Sequence, residues 1–183
     1  MTSGTSSEGP LVWNVVGLLS DDPGADRLHD VSDVTIGLGD DLSLAEPIAG
    51  HVRLLRTNRG VLASADLRTA LRLECSRCLR EVIFPVDIRL QEEFLPALDL
   101  STGRPLPTDD EPDVARLTDH HELDLETPVR EGIQLSEPIA PLCRRDCLGL
   151  CVVCGERLDV GVHDHPDDDI DPRLEALRAF RPG

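Results

Sequence analysis

Apolar and polar side chains alternate most regularly in the middle of the chain. Leu67, Thr69, Leu71 and Leu73 are interleaved with Arg68, Ala70, Arg72 and Glu74. After a short interruption, Val82, Phe84, Val86, Ile88 and Leu90 resume the same period of two. Successive side chains on a strand point to opposite faces, so this pattern predicts an antiparallel meander with one apolar face inward and one polar face outward. Just upstream, 50–57 and 61–66 flank Asn58-Arg59-Gly60, a turn sequence that predicts a hairpin. The interruption itself is Cys75-Ser76-Arg77-Cys78, which falls at the tip between two strands.

Other segments are shorter and less regular. Residues 1–10 read as a disordered tail, 11–19 with Trp13 as a strand, 20–27 as a loop and 31–38 as a short extended segment. Residues 95–125 form a long connection with Pro96, Pro105, Pro107 and Pro112, acidic in its later part, and read as a solvated loop. Thr127-Pro128 predicts an N-cap and first helical position for a helix over about 128–137. Val129, Ile133 and Ser136 share one face of that helix, and Pro138 stops it. Asp171-Pro172 starts a second short helix with Leu174 and Leu177. The expected class is α+β: a single domain over 11–178, mainly an antiparallel sheet with a few short helices, and a C-terminal tail at 179–183.

Composition changes this picture in two ways. The 183 residues include three Phe, one Trp and no Tyr, so aliphatic side chains must make the core, and 14 Gly with 14 Pro imply many turns. A metal clip would help such a loop-rich chain to fold. The net charge of −17 argues against a protein that wraps nucleic acid. Yet residues 51–90 hold eight Arg against four acids, and every one of the 18 basic residues is Arg. Arg68, Arg72, Arg77, Arg80, Arg144 and Arg145 are therefore the candidate contacts to RNA or a partner, against the plainer reading of solvated surface residues. Scarce aromatics disfavour binding single strands by base stacking. No stretch reaches the roughly 20 apolar residues of a membrane span, and the N-terminus lacks a basic n-region. The expected location is the cytoplasm, where grouped cysteines bind metal more often than they form disulfides.

All six cysteines lie in two places: Cys75 and Cys78, then Cys143, Cys147, Cys151 and Cys154 followed by Gly155. Two CxxC turns can close a tetrahedral cage, the geometry zinc prefers in structural sites. The preferred tetrad is Cys75, Cys78, Cys151 and Cys154. Cys143 and Cys147 are alternates, since they form another set of four with Cys151 and Cys154. Six cysteines exceed one tetrahedral site, so at least two have another role. An iron–sulfur cluster and a redox switch through Cys151 and Cys154 are the rival chemistries. His163-Asp164-His165, with Asp167, Asp168 and Asp169, reads as flexible acidic surface rather than a second metal site, as does His120-His121. His29 and His51 have no assigned role. No nucleophile, phosphate loop or catalytic carboxylate pair stands out, so an enzyme is not expected.

The chain resembles the YceD family of large-ribosomal-subunit RNA accumulation proteins. The resemblance rests on Cys75-Ser-Arg-Cys78-Leu79, Glu92-Glu93-Phe94, Leu123-Asp124-Leu125 and Arg130-Glu131. It continues through Asp146-Cys147-Leu-Gly149-Leu150-Cys151-Val-Val-Cys154-Gly155-Glu-Arg-Leu158 and Asp171-Pro172-Arg173-Leu174, so it spans roughly residues 50–178 in order. Leu148, Val152 and Asp159 depart from the Lys, Pro and Asn that members commonly carry. The resemblance implies a role in accumulation of large-subunit (23S) ribosomal RNA, with cysteine-held zinc. The expected function is a non-enzymatic ribosome biogenesis factor, acting on a ribosomal protein or pre-ribosomal particle, with direct rRNA contact as an option. The strong negative charge favours a basic protein partner over naked RNA. Rival readings are a redox-responsive thiol switch and a zinc-stabilised interaction module unrelated to ribosomes.

Overall fold

A computed structural model describes residues 9–39, 42–107, 114–165 and 173. The expected N-terminal tail (apart from Gly9 and Pro10), the acidic stretch 108–113 and the C-terminal helix beyond Arg173 lie outside these residues. The chain divides into two compact units: 1–73 with 82–139, and 74–81 with 140–183.

The first unit is built on the alternating segments. A short strand β1 (Val12–Asn14) and helix α1 (Val16–Ser20) precede β2 (Asp26–Val34), β3 (Ser43–Arg56), β4 (Val61–Glu74) and β5 (Glu81–Phe94). Strands β2 to β5 form one sheet in sequence order, with β2 antiparallel to β3 and β3 antiparallel to β4. The predicted hairpin is present: Arg56 pairs with Val61 across the turn. Thr57 Oγ1 accepts from the Gly60 amide at 2.9 Å, and the Arg56 guanidinium donates to the Gly60 carbonyl at 3.0 Å. Leu67, Thr69, Leu71 and Leu73 are buried and Arg68, Arg72 and Glu74 exposed, as the period of two requires, but Ala70, expected on the outward face, is buried as well.

Strand β6 (Glu122–Asp124) and helix α2 (Glu126–Leu135) complete the unit. The 11–19 segment divides between β1 and α1, and β1 pairs with β6 in a separate two-stranded sheet. Helix α2 starts two residues before the expected position, and no side chain caps it. Instead Asp124 Oδ1 accepts the Glu126 amide at 2.7 Å, and fully buried Leu125 anchors the entry. Val129 and Ile133 face the core as expected, while Gln134 and Arg130 donate to the carbonyls of Leu38 and Gly37. The core is aliphatic and includes Leu18, Ile48, Leu54, Leu71, Leu117 and Ile133. The expected α+β class is met: among the described residues, a mainly antiparallel sheet with two short helices.

Candidate metal centre

Strand β4 ends at Glu74 and β5 begins at Glu81, so residues 75–80 form the expected tip. The Cys75 amide donates to the Arg80 carbonyl at 2.8 Å, and the Leu79 amide donates to the Cys75 carbonyl at 2.9 Å. Leu79 has φ 58°, the left-handed conformation needed to fold the chain back under the sulfurs. Cys151 to Glu156 repeats both hydrogen bonds and the left-handed fifth residue. The Cys151 amide donates to the Glu156 carbonyl at 2.6 Å, the Gly155 amide to the Cys151 carbonyl at 2.9 Å, and Gly155 has φ 73°. Leu150 and Arg157 bridge in antiparallel fashion at the base of this second turn.

The thiols of Cys75, Cys78, Cys143 and Cys147 converge, all four sulfurs lying within 4.8 Å of one another. Cys75 Sγ is 3.8 Å from Cys147 Sγ, and Cys78 Sγ is 3.6 Å from Cys143 Sγ. A disulfide would need about 2.05 Å. Four sulfurs around one zinc at about 2.3 Å sit about 3.8 Å apart along each edge of the tetrahedron. The residues present therefore fit a tetrahedral ion. Ser76 ties the two chain segments together by donating to the Pro141 carbonyl through its amide (2.8 Å) and hydroxyl (3.1 Å). Arg77 Nη1 donates to the Cys147 carbonyl at 2.8 Å. Gly149, at φ 86°, passes so near Arg77 that a Cβ there would lie 3.3 Å from its carbonyl oxygen.

The expected tetrad is regrouped by these contacts. Cys75 and Cys78 meet the alternates Cys143 and Cys147, because the Ser76 and Arg77 hydrogen bonds hold residues 141–147 against the tip. Cys151 and Cys154 gather instead with His163 and His165, again within 4.8 Å. His163 and His165 are thus part of a donor cluster, where the sequence suggests flexible acidic surface; Asp167, Asp168 and Asp169 lie outside the described residues. The missed signal is that His163 and His165 follow a CxxC turn closely enough to fold back on it.

Electrostatics in the four-thiol cluster are uneven. The backbone amides of Cys143 and Arg77 face the Cys75 sulfur and pull its pKa down to about 6. Burial pushes the Cys143 thiol up to about 12, helped by the thiols of Cys147, Cys78 and Cys75, and burial also raises Cys147. The protein alone thus favours the Cys75 thiolate and opposes those of Cys143 and Cys147. A divalent cation would remove that conflict by giving each thiolate a positive partner.

Residues 63–181 match the family described as "Large ribosomal RNA subunit accumulation protein YceD". The chain belongs to this family. The uncharacterized proteins Rv2926c of Mycobacterium tuberculosis and Mb2951c of Mycobacterium bovis are each 35% identical over 126 residues, covering 69% of this chain and 58% of theirs. The uncharacterized protein ML1660 of Mycobacterium leprae is 34% identical over 126 residues, covering 69% of this chain and 55% of its own. The chain thus spans little more than half the length of these relatives. No solved structure matches it.

The YceD match contains all eight clustered donors and the six arginines expected at a partner surface. Within the cysteine unit, Arg80 donates to Asp159 Oδ2 at 2.9 Å and Arg77 is engaged with Cys147, so both also hold the unit together. Arg144 and Arg145 are exposed. Within the sheet unit, Arg72 is exposed and Arg68 lines a groove of about 530 Å³ with His51, Asp66, Asp87 and Arg89. Its mixed charges do not single out phosphate. No helix of the described residues is long and apolar enough to cross a membrane.

Proposed function

We propose that this YceD-family protein is a non-enzymatic, cytoplasmic factor supporting accumulation of large-subunit ribosomal RNA, and that zinc held by Cys75, Cys78, Cys143 and Cys147 shapes its binding unit. One observation carries the metal: the described cysteine unit buries ligands in place of an apolar core. Its buried residues are Cys75, Cys78, Cys147, Gly149 and Cys151, whereas Leu79, Leu148, Val152, Val160 and Val162 are exposed. A unit so built needs a staple, and thiolate-bound zinc supplies one. The family assignment carries the ribosomal role.

The net charge of −17 supports a basic ribosomal protein, met free or within a pre-ribosomal particle, as the immediate partner. Direct contact with rRNA would fall to exposed arginines such as Arg144 and Arg145.

Two measurements test the two halves separately. Metal analysis of full-length protein should find zinc, and Cys75→Ser should lose it from the four-thiol cage. Metal-free protein that cycles through an intramolecular disulfide would replace this reading with a redox switch. Affinity capture from cells should enrich large-subunit precursors or ribosomal proteins, and Cys75→Ser should reduce that enrichment. Capture of neither, from zinc-loaded protein, would sink the assembly role while leaving the metal site standing.

A further inference from the structure

We propose that Cys151, Cys154, His163 and His165 form a second zinc site, distinct from the four-thiol cage and more open to exchange. The ribosomal role is not needed for this inference; it rests on the donors alone.

The first support is distance. Cys154 Sγ lies 3.6 Å from His163 Nδ1. With zinc–sulfur near 2.3 Å and zinc–nitrogen near 2.05 Å, a tetrahedral edge between the two atoms is about 3.6 Å. The second support is the proton on His163. Its Nε2 faces two acceptors, the carbonyls of Arg157 at 2.9 Å and Val160 at 3.1 Å, so Nε2 carries the hydrogen and Nδ1 presents its lone pair to the cluster. A ligating histidine is oriented in this way, with its remote N–H tied to a carbonyl. The third is an orphan: His165 Nε2 is shut off from solvent and has no hydrogen-bond partner. A buried polar atom without a partner is costly, and an ion bound through this nitrogen would satisfy it. The fourth is the repeated turn, in which the 151–156 backbone copies the one presenting Cys75 and Cys78.

The two sites differ in charge and access. Loading the second displaces protons from the Cys151 and Cys154 thiols and uses two neutral imidazoles, so zinc and its ligands sum to zero. The four-thiolate cage sums to −2. Three of its four cysteines are buried, whereas Cys154 is exposed and both histidines are half-buried. Water and chelators therefore reach the second ion more easily.

Native mass spectrometry and elemental analysis of zinc-replete, full-length protein should find two zinc ions per chain. His163→Ala/His165→Ala should retain one, and His163→Cys/His165→Cys, which restores four donors, should return to two. Should the alanine variant be insoluble, the cysteine variant and the wild type still decide the matter through zinc release to a chromogenic chelator. Wild-type protein should release two equivalents in two phases, the faster from this site, and the fast phase should change rate in the cysteine variant. One zinc per chain in the wild type, or two retained after both alanine substitutions, would overturn the proposal.

Discussion

At the residue scale, two turns make the same conformational demand and meet it with different side chains. Position five of each cysteine turn is left-handed: Gly155 at φ 73° and Leu79 at φ 58°. An L-residue there costs roughly 1–2 kcal/mol. Apart from its chain neighbours, no described residue comes within 4 Å of a Cβ built on Gly155, so Gly155→Ala should lose about 1 kcal/mol from backbone strain alone. Leu79→Gly should lose nothing or gain up to about 1 kcal/mol, since the leucine side chain is exposed. Chemical denaturation of zinc-loaded variants reads both, and equal losses would mean that side-chain contacts matter more than backbone conformation.

A second residue sets a pH response. Asp99 Oδ1 accepts from the Ser101 hydroxyl and amide and from the Thr102 hydroxyl and amide, at 2.7–3.0 Å, holding its pKa down at about 2. A carboxyl depressed in the folded state stabilises the fold above its unfolded pKa near 3.8, and that contribution is lost as pH falls through about 2. Carboxyl NMR titration should find the low midpoint, and Asp99→Asn should flatten this part of the acid-stability curve. A midpoint near 3.8 would show that the turn is not held in solution.

Among the elements, the β3–β4 pairing depends on a close approach that only glycine permits. Gly50 has φ 149° and pairs with Leu67; a Cβ on it would fall 2.2 Å from the Asp66 carbonyl oxygen and 2.9 Å from Leu67 Cα. Gly50→Ala should therefore cost more than about 2 kcal/mol, through backbone displacement in addition to strain. Thermal unfolding with a loss below about 0.5 kcal/mol, the scale of an ordinary surface change, would show that the strands separate easily there. The same elements show what a sequence reveals. The 56–61 hairpin and β5 were readable because turn chemistry and a long period-two pattern agreed. The β1–β6 pair was not, since each strand has three residues and the partners lie over 100 positions apart. Thr127-Pro128 is a strong local start and puts helix α2 two residues late, while burial of Leu125 acts through tertiary packing that the local sequence does not contain. The cysteine spacing likewise identified two half-sites. Their pairing is decided by Ser76 with Pro141 and Arg77 with Cys147, hydrogen bonds no spacing rule contains.

Across the whole molecule, the two units are built from different materials. Every member of the described hydrophobic core belongs to the sheet unit, and the cysteine unit buries mostly its sulfur ligands. Structural zinc contributes about 10–16 kcal/mol to folding in zinc-finger peptides, far more than the few exposed ion pairs of the cysteine unit can supply. With zinc held as proposed, removing it should act on one unit and spare the other. Hydrogen exchange on full-length protein after chelation should show lost protection at the Cys75, Leu79, Cys151 and Gly155 amides, with β3 and β4 still protected. Returning zinc under reducing conditions should restore the lost protection. Uniform loss across both units would make the metal a support for the entire fold, and unchanged protection would mean that hydrogen bonds such as Arg80–Asp159 and Ser76–Pro141 hold the cysteine unit without it.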